Sequence, residues 1–516
     1  MTGQKLTLKG LNTEYQLNKA EDQKGNSFTM TLKRSKLSIN FLYQTAYQIL
    51  TVIMPLITSP YIARVLGPEN NGIYTYTYAI VNYFVVFAAL GIEAYGNRLI
   101  AQAKARSQDE LNKAFSSVYW MHFLVSSLSA ILYFVYVFLW AGTYSTIALI
   151  QAVWVIAAIF DINWLFFGLE EFQLTVKRNF VIKILSVIAI FTLVKSKQDL
   201  WIYTTIMGLA ALISRMVLWA FVKKYVSFVK VDIRAIFAHL RPLSILFLAV
   251  IATSIYRMID KVMLGWFGTM TSLASYEYAD KMIKLVITLI TALGTVMLPR
   301  MSSLYAEGRD DVAAKYMNST SQFMFVMAFA LAFGLAGISE EFMPMLLGPG
   351  YDEASLLTRI LCISLPIMGW NNLIRTQVLM PKEKDRVYTI AVWAGAIVNI
   401  ILNYLFIHWL GAIGAAIATV IAYSIVAIFQ TYPIRKEFPI GSYLRYILIP
   451  MISGIMMFIA VRIVAALIPS GIICIVVEII IGASIYLLIN MFYLKKSKNE
   501  VLETYLDKIK GKIQRK

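Results

Sequence analysis

Apolar runs of nearly uniform length, separated by short polar interruptions, fill this chain from about Ser38 almost to its C-terminus. Each run holds roughly 18 to 25 residues, the length a helix rising about 1.5 Å per residue needs to cross a hydrocarbon core about 30 Å thick. About fourteen can be counted, centred near Leu50, Val81, Leu128, Val155, Ile188, Leu209, Thr253, Ile287, Phe329, Ser364, Ala396, Ala422, Met456 and Ile481. The pattern predicts an all-α polytopic membrane protein. Its weakest element is the fifth run, Asn179 to Val194, which is short and carries Lys183.

Composition agrees: 59% of residues are hydrophobic, 15% are charged and the mean hydropathy is +0.67, beyond what a water-soluble domain requires. The net charge of +18, from 47 basic and 29 acidic residues, would raise nucleic acid as a partner of a soluble protein. Its distribution excludes that reading. Lys and Arg gather on alternate loops: Arg98, Lys104, Arg106 and Lys113; Lys177 and Arg178; Lys223, Lys224, Lys230 and Arg234; Arg300, Arg309 and Lys315; Lys382, Lys384 and Arg386; Arg435 and Lys436. The intervening turns, such as "GPENN" and "WFGTMTS", are nearly free of them. By the positive-inside rule the basic loops and both termini are expected in the cytoplasm, where the surplus also attracts anionic headgroups of the membrane lipids. Lys195 and Lys197 in "KSKQDL" are exceptions.

Cys362 and Cys474 both fall inside runs and read as packing residues, not as a disulfide. The first 31 residues are polar, so a cytoplasmic lead without a cleavable signal is expected, with Met30 a second candidate start. At the other end, Val501, Tyr505, Leu506 and Ile509 recur at helical spacing among lysines, which fits either a basic helix on the inner leaflet or a solvated tail.

The chain repeats itself. "YIARVLGPENNGIYTYTYAI" from Tyr61 and "YRMIDKVMLGWFGTMTSLASYEYADKM" from Tyr256 share a helix end, a Leu-Gly stop and a tyrosine-rich restart. One loop later, "RSQDELNKAFSS" from Arg106 resembles "RDDVAAKYMNST" from Arg309 at nearly the same offset. Each unit follows an even number of runs, so both have one orientation. Two parallel six-helix lobes around a central cavity are expected at 37–230 and 231–438, with two extra helices at 439–495 between a polar lead (1–36) and a basic tail (496–516).

"PLITSPYIARVLGPENNGIYTYTYAIVNYF" resembles the first helical hairpin of the polysaccharide-repeat-unit flippases of the Wzx type. "IDKVMLG" with "YEYADKMI" resembles the hairpin opening their second half, and "DINWLFFGLEEFQLTVKRN" is similar to their fourth helix and its exit. The likeness runs from about Leu37 to Lys496. It implies membership of the superfamily that also holds multidrug and toxin extruders and peptidoglycan lipid flippases. It further implies a bacterial cytoplasmic-membrane protein that turns an undecaprenyl-diphosphate-linked oligosaccharide from the inner to the outer leaflet for capsular or exopolysaccharide synthesis, beside a polymerase and glycosyltransferases. The two extra helices would then hold the lipid tail.

A doubly anionic, hydroxylated head crossing a low-dielectric layer needs inward-facing cations and hydrogen-bonding groups. An Arg or Lys at mid-bilayer costs about 2.5 to 3.5 kcal/mol, so such residues face a cavity or an ion-pair partner. Glu277, Asp280, Lys281 and Lys284 follow helical spacing and form one stripe; Arg257, Asp260 and Lys261 form another on the preceding run. A short turn lets the two stripes face each other. Lys284 is expected nearest the midplane, about 16 Å from the outer boundary. Arg257 and Lys284, with Lys261 and Lys281, are therefore substrate candidates, although a salt-bridged brace is the competing reading. Arg64, near the outer end of run one, which Pro55 and Pro60 interrupt so that a kinked helix beside the cavity is expected, is a further substrate candidate. Arg215 and Asp161 could pair or meet substrate. Asn399 and Asn403 could bind sugar hydroxyls or join helices. Asp161, Asp260 and Asp280 are the candidates for ion coupling.

No "GxxxxGK[ST]" loop occurs, and His122, His239 and His408 are scattered, so neither direct ATP use nor a histidine metal site is expected, and no cofactor. The outer loops are too short for a polymerase domain. A non-enzymatic flippase working by alternating access is the expected function. A multidrug extruder, a peptidoglycan-precursor or teichoic-acid flippase and a membrane glycosyl- or lipid-transferase are the alternatives.

Overall fold

The structure, a computed structural model, describes residues 54–437 and 440–496. The expected polar lead, the start of run one and the basic tail lie outside the described residues. Helices account for all regular structure among the described residues. They are α1 (residues 54–89), α2 (Ile92–Lys104), α3 (Gln108–Trp140), α4 (Ser145–Ile159), α5 (Asn163–Gly168), α6 (Phe172–Leu193), α7 (Leu200–Val222), α8 (Ile233–Phe237), α9 (Leu240–Phe267), α10 (Met270–Ala306), α11 (Asp310–Leu347), α12 (Ala354–Cys362), α13 (Ser364–Ile374), α14 (Asp385–Thr431), α15 (Ile440–Leu467) and α16 (Ile472–Lys496).

Nine helices among the described residues are long and apolar enough to cross a membrane, or up to 11 if two bent pairs each count as one span. Two of these fold back on themselves. In α1 the reversal is at Gly67, with φ 76°, and the Asn71 side-chain amide donates 3.2 Å to the carbonyl of Ile62, nine residues earlier. A continuous helix would hold those residues about 13 Å apart. In α14 it is at Gly411, with φ 56°, which brings Gly414 against the Phe406 carbonyl. α6 adds a further helix of crossing length, 22 residues with Lys183 within it. The described helices are thus compatible with fourteen crossings.

Local chemistry sets several boundaries. Ser107 caps α3 by accepting from the Glu110 amide at 3.1 Å, and Thr269 caps α10 by accepting from the Ser272 amide at 3.1 Å. The exceptional lysines of "KSKQDL" have local tasks. Lys195 donates its ammonium to the Phe191 carbonyl at the end of α6, as cations do at helix C-termini, and the Lys197 carbonyl accepts from Asn70 at 2.8 Å.

Two sets of helices build separate cores. Phe115, Tyr119, Trp164, Leu218 and Val222 cluster among α2 to α7, while Leu264, Tyr276, Ile283, Met324, Leu365 and Ala415 cluster among α9 to α14. α15 and α16 pack on each other and against α11. The outer surface is apolar in the manner of a lipid-facing protein: Trp409 is 79% exposed and Phe138 75%. Cys362 and Cys474 are buried free thiols.

Candidate functional site

The turns at Gly67, Trp266–Gly268 and Gly348–Gly350 meet at one end of the molecule, and the two helix sets are tightly joined there. Gly72 packs on the Met270 backbone and Gly265 on the Tyr76 ring, so closely that a Cβ would stand 1.9 Å and 2.0 Å from them. Beside these contacts a buried polar network crosses between the sets. Tyr278 donates its hydroxyl to Asn71 at 3.0 Å, Asn71 donates to Tyr351 at 3.0 Å, and Tyr351 donates to the Ala63 carbonyl at 3.0 Å. Arg64 belongs to this join. Expected in the cavity, it donates its guanidinium to the Met345 carbonyl across the two sets and lines neither of the two large cavities.

Toward the other end, which carries the basic loops, the sets part around two cavities. The first has a volume of about 770 Å³ and is lined chiefly by α1 and α4 to α7, with Glu93, Asp161, Arg178, Lys183 and Arg215 and one residue of the second set, Lys281. Arg215 and Asp161 pair at 3.0 Å, and Arg178 donates to Asn163 at 3.0 Å. The second cavity, about 430 Å³, is framed by α9, α10, α13 and α14. Its lining carries Arg257, Lys284 and Arg375 and includes no carboxylate.

Between the cavities runs a chain of ion pairs on the α9–α10 hairpin. Lys261, 4% exposed, sits between Glu277 and Asp280, pairing with Glu277 and, at 2.9 Å, with Asp280. Glu277 also holds Lys281 at 3.2 Å, and Asp280 holds Lys284 at 2.6 Å. The two stripes do face each other. Lys261 is locked in the chain and lines neither large cavity, while Arg257 is exposed and lines the second. Asp260 is also buried away from both: Tyr276 donates to it, and that hydroxyl lies 2.9 Å from Thr419 on α14, a brace across three helices. Asn403 donates to Asn399 at 3.1 Å, and both are buried outside the two cavities.

Arg375 escaped the reading of the sequence. It opens a π-helical segment, Arg375–Leu379, and its guanidinium lies 4.9 Å from the centre of the Tyr388 ring. Neither it nor Arg257 has an ion-pair partner among the described residues. The signal was a lone Arg within run ten, disguised by its closeness to the basic loop at Lys382. Arg178 likewise reads from the sequence as a topology signal and Lys183 as a charge that weakens the fifth run, whereas both line the first cavity.

The chain belongs to the polysaccharide biosynthesis protein family, whose profile matches residues 37–305. A MatE profile matches residues 242–405. Curated relatives include a "Putative O-antigen transporter" of Shigella dysenteriae, 23% identical over 74% of this chain and 96% of the relative, and a protein of the same description from Escherichia coli K12, 24% identical over 75% and 94%. The fold is that of the lipid II flippase MurJ in its inward closed conformation, with a TM-score of 0.73 and 18% identity over 88% of this chain and 99% of that one. An inward-facing multidrug resistance MATE family transporter of the MOP superfamily superposes with a TM-score of 0.56 and 16% identity over 76% and 95%. The family resemblance carried by "PLITSPYIARVLGPENNGIYTYTYAIVNYF" is thereby confirmed.

Proposed function

We propose that this protein is a transporter, not an enzyme, which moves an undecaprenyl-diphosphate-linked oligosaccharide across the bacterial cytoplasmic membrane for capsular or exopolysaccharide synthesis. The observation that carries the reading is the second cavity, in which Arg257, Lys284 and Arg375 converge without an acid among its lining residues. A cavity of that charge favours a phosphorylated anion and repels an organic cation, which sets the reading apart from multidrug extrusion. The names of the curated relatives and the family match support the same class. The first cavity, larger and mixed in charge, suits the hydroxylated part of a glycan.

The two helix sets act as lobes in alternating access. With the basic loops in the cytoplasm, the state described here has its cavities toward the cytoplasmic side and its glycine turns sealed on the other. Release requires the Asn71, Tyr278 and Tyr351 contacts to part while the basic-loop ends close. The Asp161–Arg215 pair and the Asp280 chain are the places where a coupling ion would act.

The test is a leaflet-accessibility assay with labelled lipid-linked oligosaccharide in proteoliposomes. Purified protein is expected to move the lipid, and Arg257→Ala and Arg375→Ala to slow it. A preparation that moves no such lipid, or variants as active as the parent, would sink the proposal.

A further inference from the structure

Beyond its three cations, the second cavity is bordered by residues whose buried polar atoms find no partner among the described residues. Gln430, 1% exposed, is among its lining residues, and its buried side-chain carbonyl oxygen has no hydrogen-bond partner among the described residues. Asn371 lines it too. Its amide nitrogen donates 3.1 Å to the Tyr423 carbonyl, which fixes the amide and leaves Oδ1 without a partner. The Tyr256 hydroxyl is a third unpartnered group, on a ring set edge-on to Tyr423 at 4.9 Å. Buried polar atoms are ordinarily paired, and leaving one unpaired typically costs about 1–3 kcal/mol, so three of them, from α9, α13 and α14, around a cavity with three cations point to a ligand that supplies their partners.

The complement of these groups is specific in chemistry. Cations match a diphosphate; two carbonyl acceptors and a phenol match the hydroxyl or amide N–H groups of a ring attached to it. Neither the fully ionised diphosphate diester nor the prenyl tail supplies donors for Asn371 and Gln430.

Resting on the flippase reading, we propose that Tyr256, Asn371 and Gln430 form a saccharide subsite that selects the sugar bonded directly to the diphosphate. The cations hold the anion in common to all such lipids. The three neutral groups decide among the sugars it bears. A sugar that fills the subsite satisfies all three at once, whereas one lacking a donor leaves a buried acceptor unpaired, the arrangement by which sites reject close analogues most strongly.

The experiment measures binding of two probes to the purified full-length protein in detergent: farnesyl diphosphate, and farnesyl diphosphate bearing one N-acetylglucosamine. The wild type is expected to bind the sugar-bearing probe about tenfold more tightly, the worth of one to two net hydrogen bonds. Tyr256→Phe, which removes only a hydroxyl, should reduce that preference. The double variant Asn371→Leu and Gln430→Leu should abolish it while keeping the wild-type affinity for farnesyl diphosphate, which also shows the cavity to be intact. Arg375→Ala should weaken both probes alike. Equal binding of the two probes by the wild type, or a preference that survives in the double variant, overturns the subsite and leaves the flippase reading standing. Failure of the wild type to bind either probe overturns both.

Discussion

Lys281 and Lys284 lie one turn apart on α10 and face different cavities, the first toward α4 to α7 and the second toward α13 and α14. Their carboxylate partners, Glu277 and Asp280, meet at Lys261, so one chain of five charges connects the two spaces. An anion that draws Lys284 away from Asp280 changes what Lys261 must balance. The chain is thus a route by which occupancy of one cavity would bear on the other.

Removing the centre of that chain should be costly. Lys261→Met leaves two carboxylates, 14% and 13% exposed, facing one another without their shared cation. A loss of about 3–5 kcal/mol is expected on breaking such a buried pair, partly recovered by adding Glu277→Gln. Thermal unfolding in detergent measures it, and a stable single variant would contradict the prediction.

Arg257→Ala and Arg375→Ala should act on transport and not on stability, because neither side chain has an ion-pair partner among the described residues to strand. A charge-assisted hydrogen bond to phosphate is worth about 1.5–3 kcal/mol, so each variant should slow flipping by about tenfold or more. Unchanged melting temperatures together with the slower assay form the expected result.

Asp161→Asn should weaken the first cavity by leaving the Arg215 guanidinium without its carboxylate at 3.0 Å. Exchanging the two residues keeps the pair while reversing its direction. The double variant Asp161→Arg and Arg215→Asp is expected to recover stability lost in either single one, as read by a double-mutant cycle.

At the closed end, Gly265→Leu would drive a side chain into the Tyr76 ring. The join should loosen and the population shift toward the state open at that end. A cysteine placed at Tyr278 should then react faster with a hydrophilic thiol reagent than in the Gly265 parent; equal rates would show that the join yields without opening.

One pH response follows from the basic-loop end, where Glu437 accepts from Lys384 and, at 3.1 Å, from Lys382. The Lys384 hydrogen bond, foremost, holds the carboxyl below its ordinary value. A lowered folded value means that the stabilisation is complete above the unfolded value of about 4.3 and is lost as pH falls through the folded one. Because Glu437 is 40% exposed, the effect is small. Melting curves from pH 6 down to about 3 should show a slightly steeper decline for the wild type than for Glu437→Gln.

Much of this was legible in the sequence, for reasons that differ by element. The crossing helices are written in run length, since lipid tolerates no unsatisfied backbone. The facing of Lys261 with Glu277 and Asp280 follows from helical period and a short turn. The division of Lys281 from Lys284 does not, because it depends on where α10 stands between two sets of helices packed by distant residues. Arg64 shows the same limit: its place at a helix end was readable, but its partner, the Met345 carbonyl, lies 281 residues away. Asn371 and Gln430 carry no signal in the sequence that separates them from other amides in apolar runs. Only the neighbouring groups they fail to bond reveal them.

The seal formed by Asn71, Tyr278 and Tyr351 is made of neutral groups. Displacing one elementary charge through the transmembrane field is worth about 2.3 kcal/mol per 100 mV, and parting these three side chains displaces none. Beside this neutral latch, the Arg64 guanidinium of the same join, donating to the Met345 carbonyl, is the group on which membrane voltage can pull directly. In the cycle proposed above, voltage would further act through the cargo's own negative charges and through whatever charges of the α10 chain move with them, so polarisation of the cell would bear on loading and release more than on the parting of the three neutral side chains.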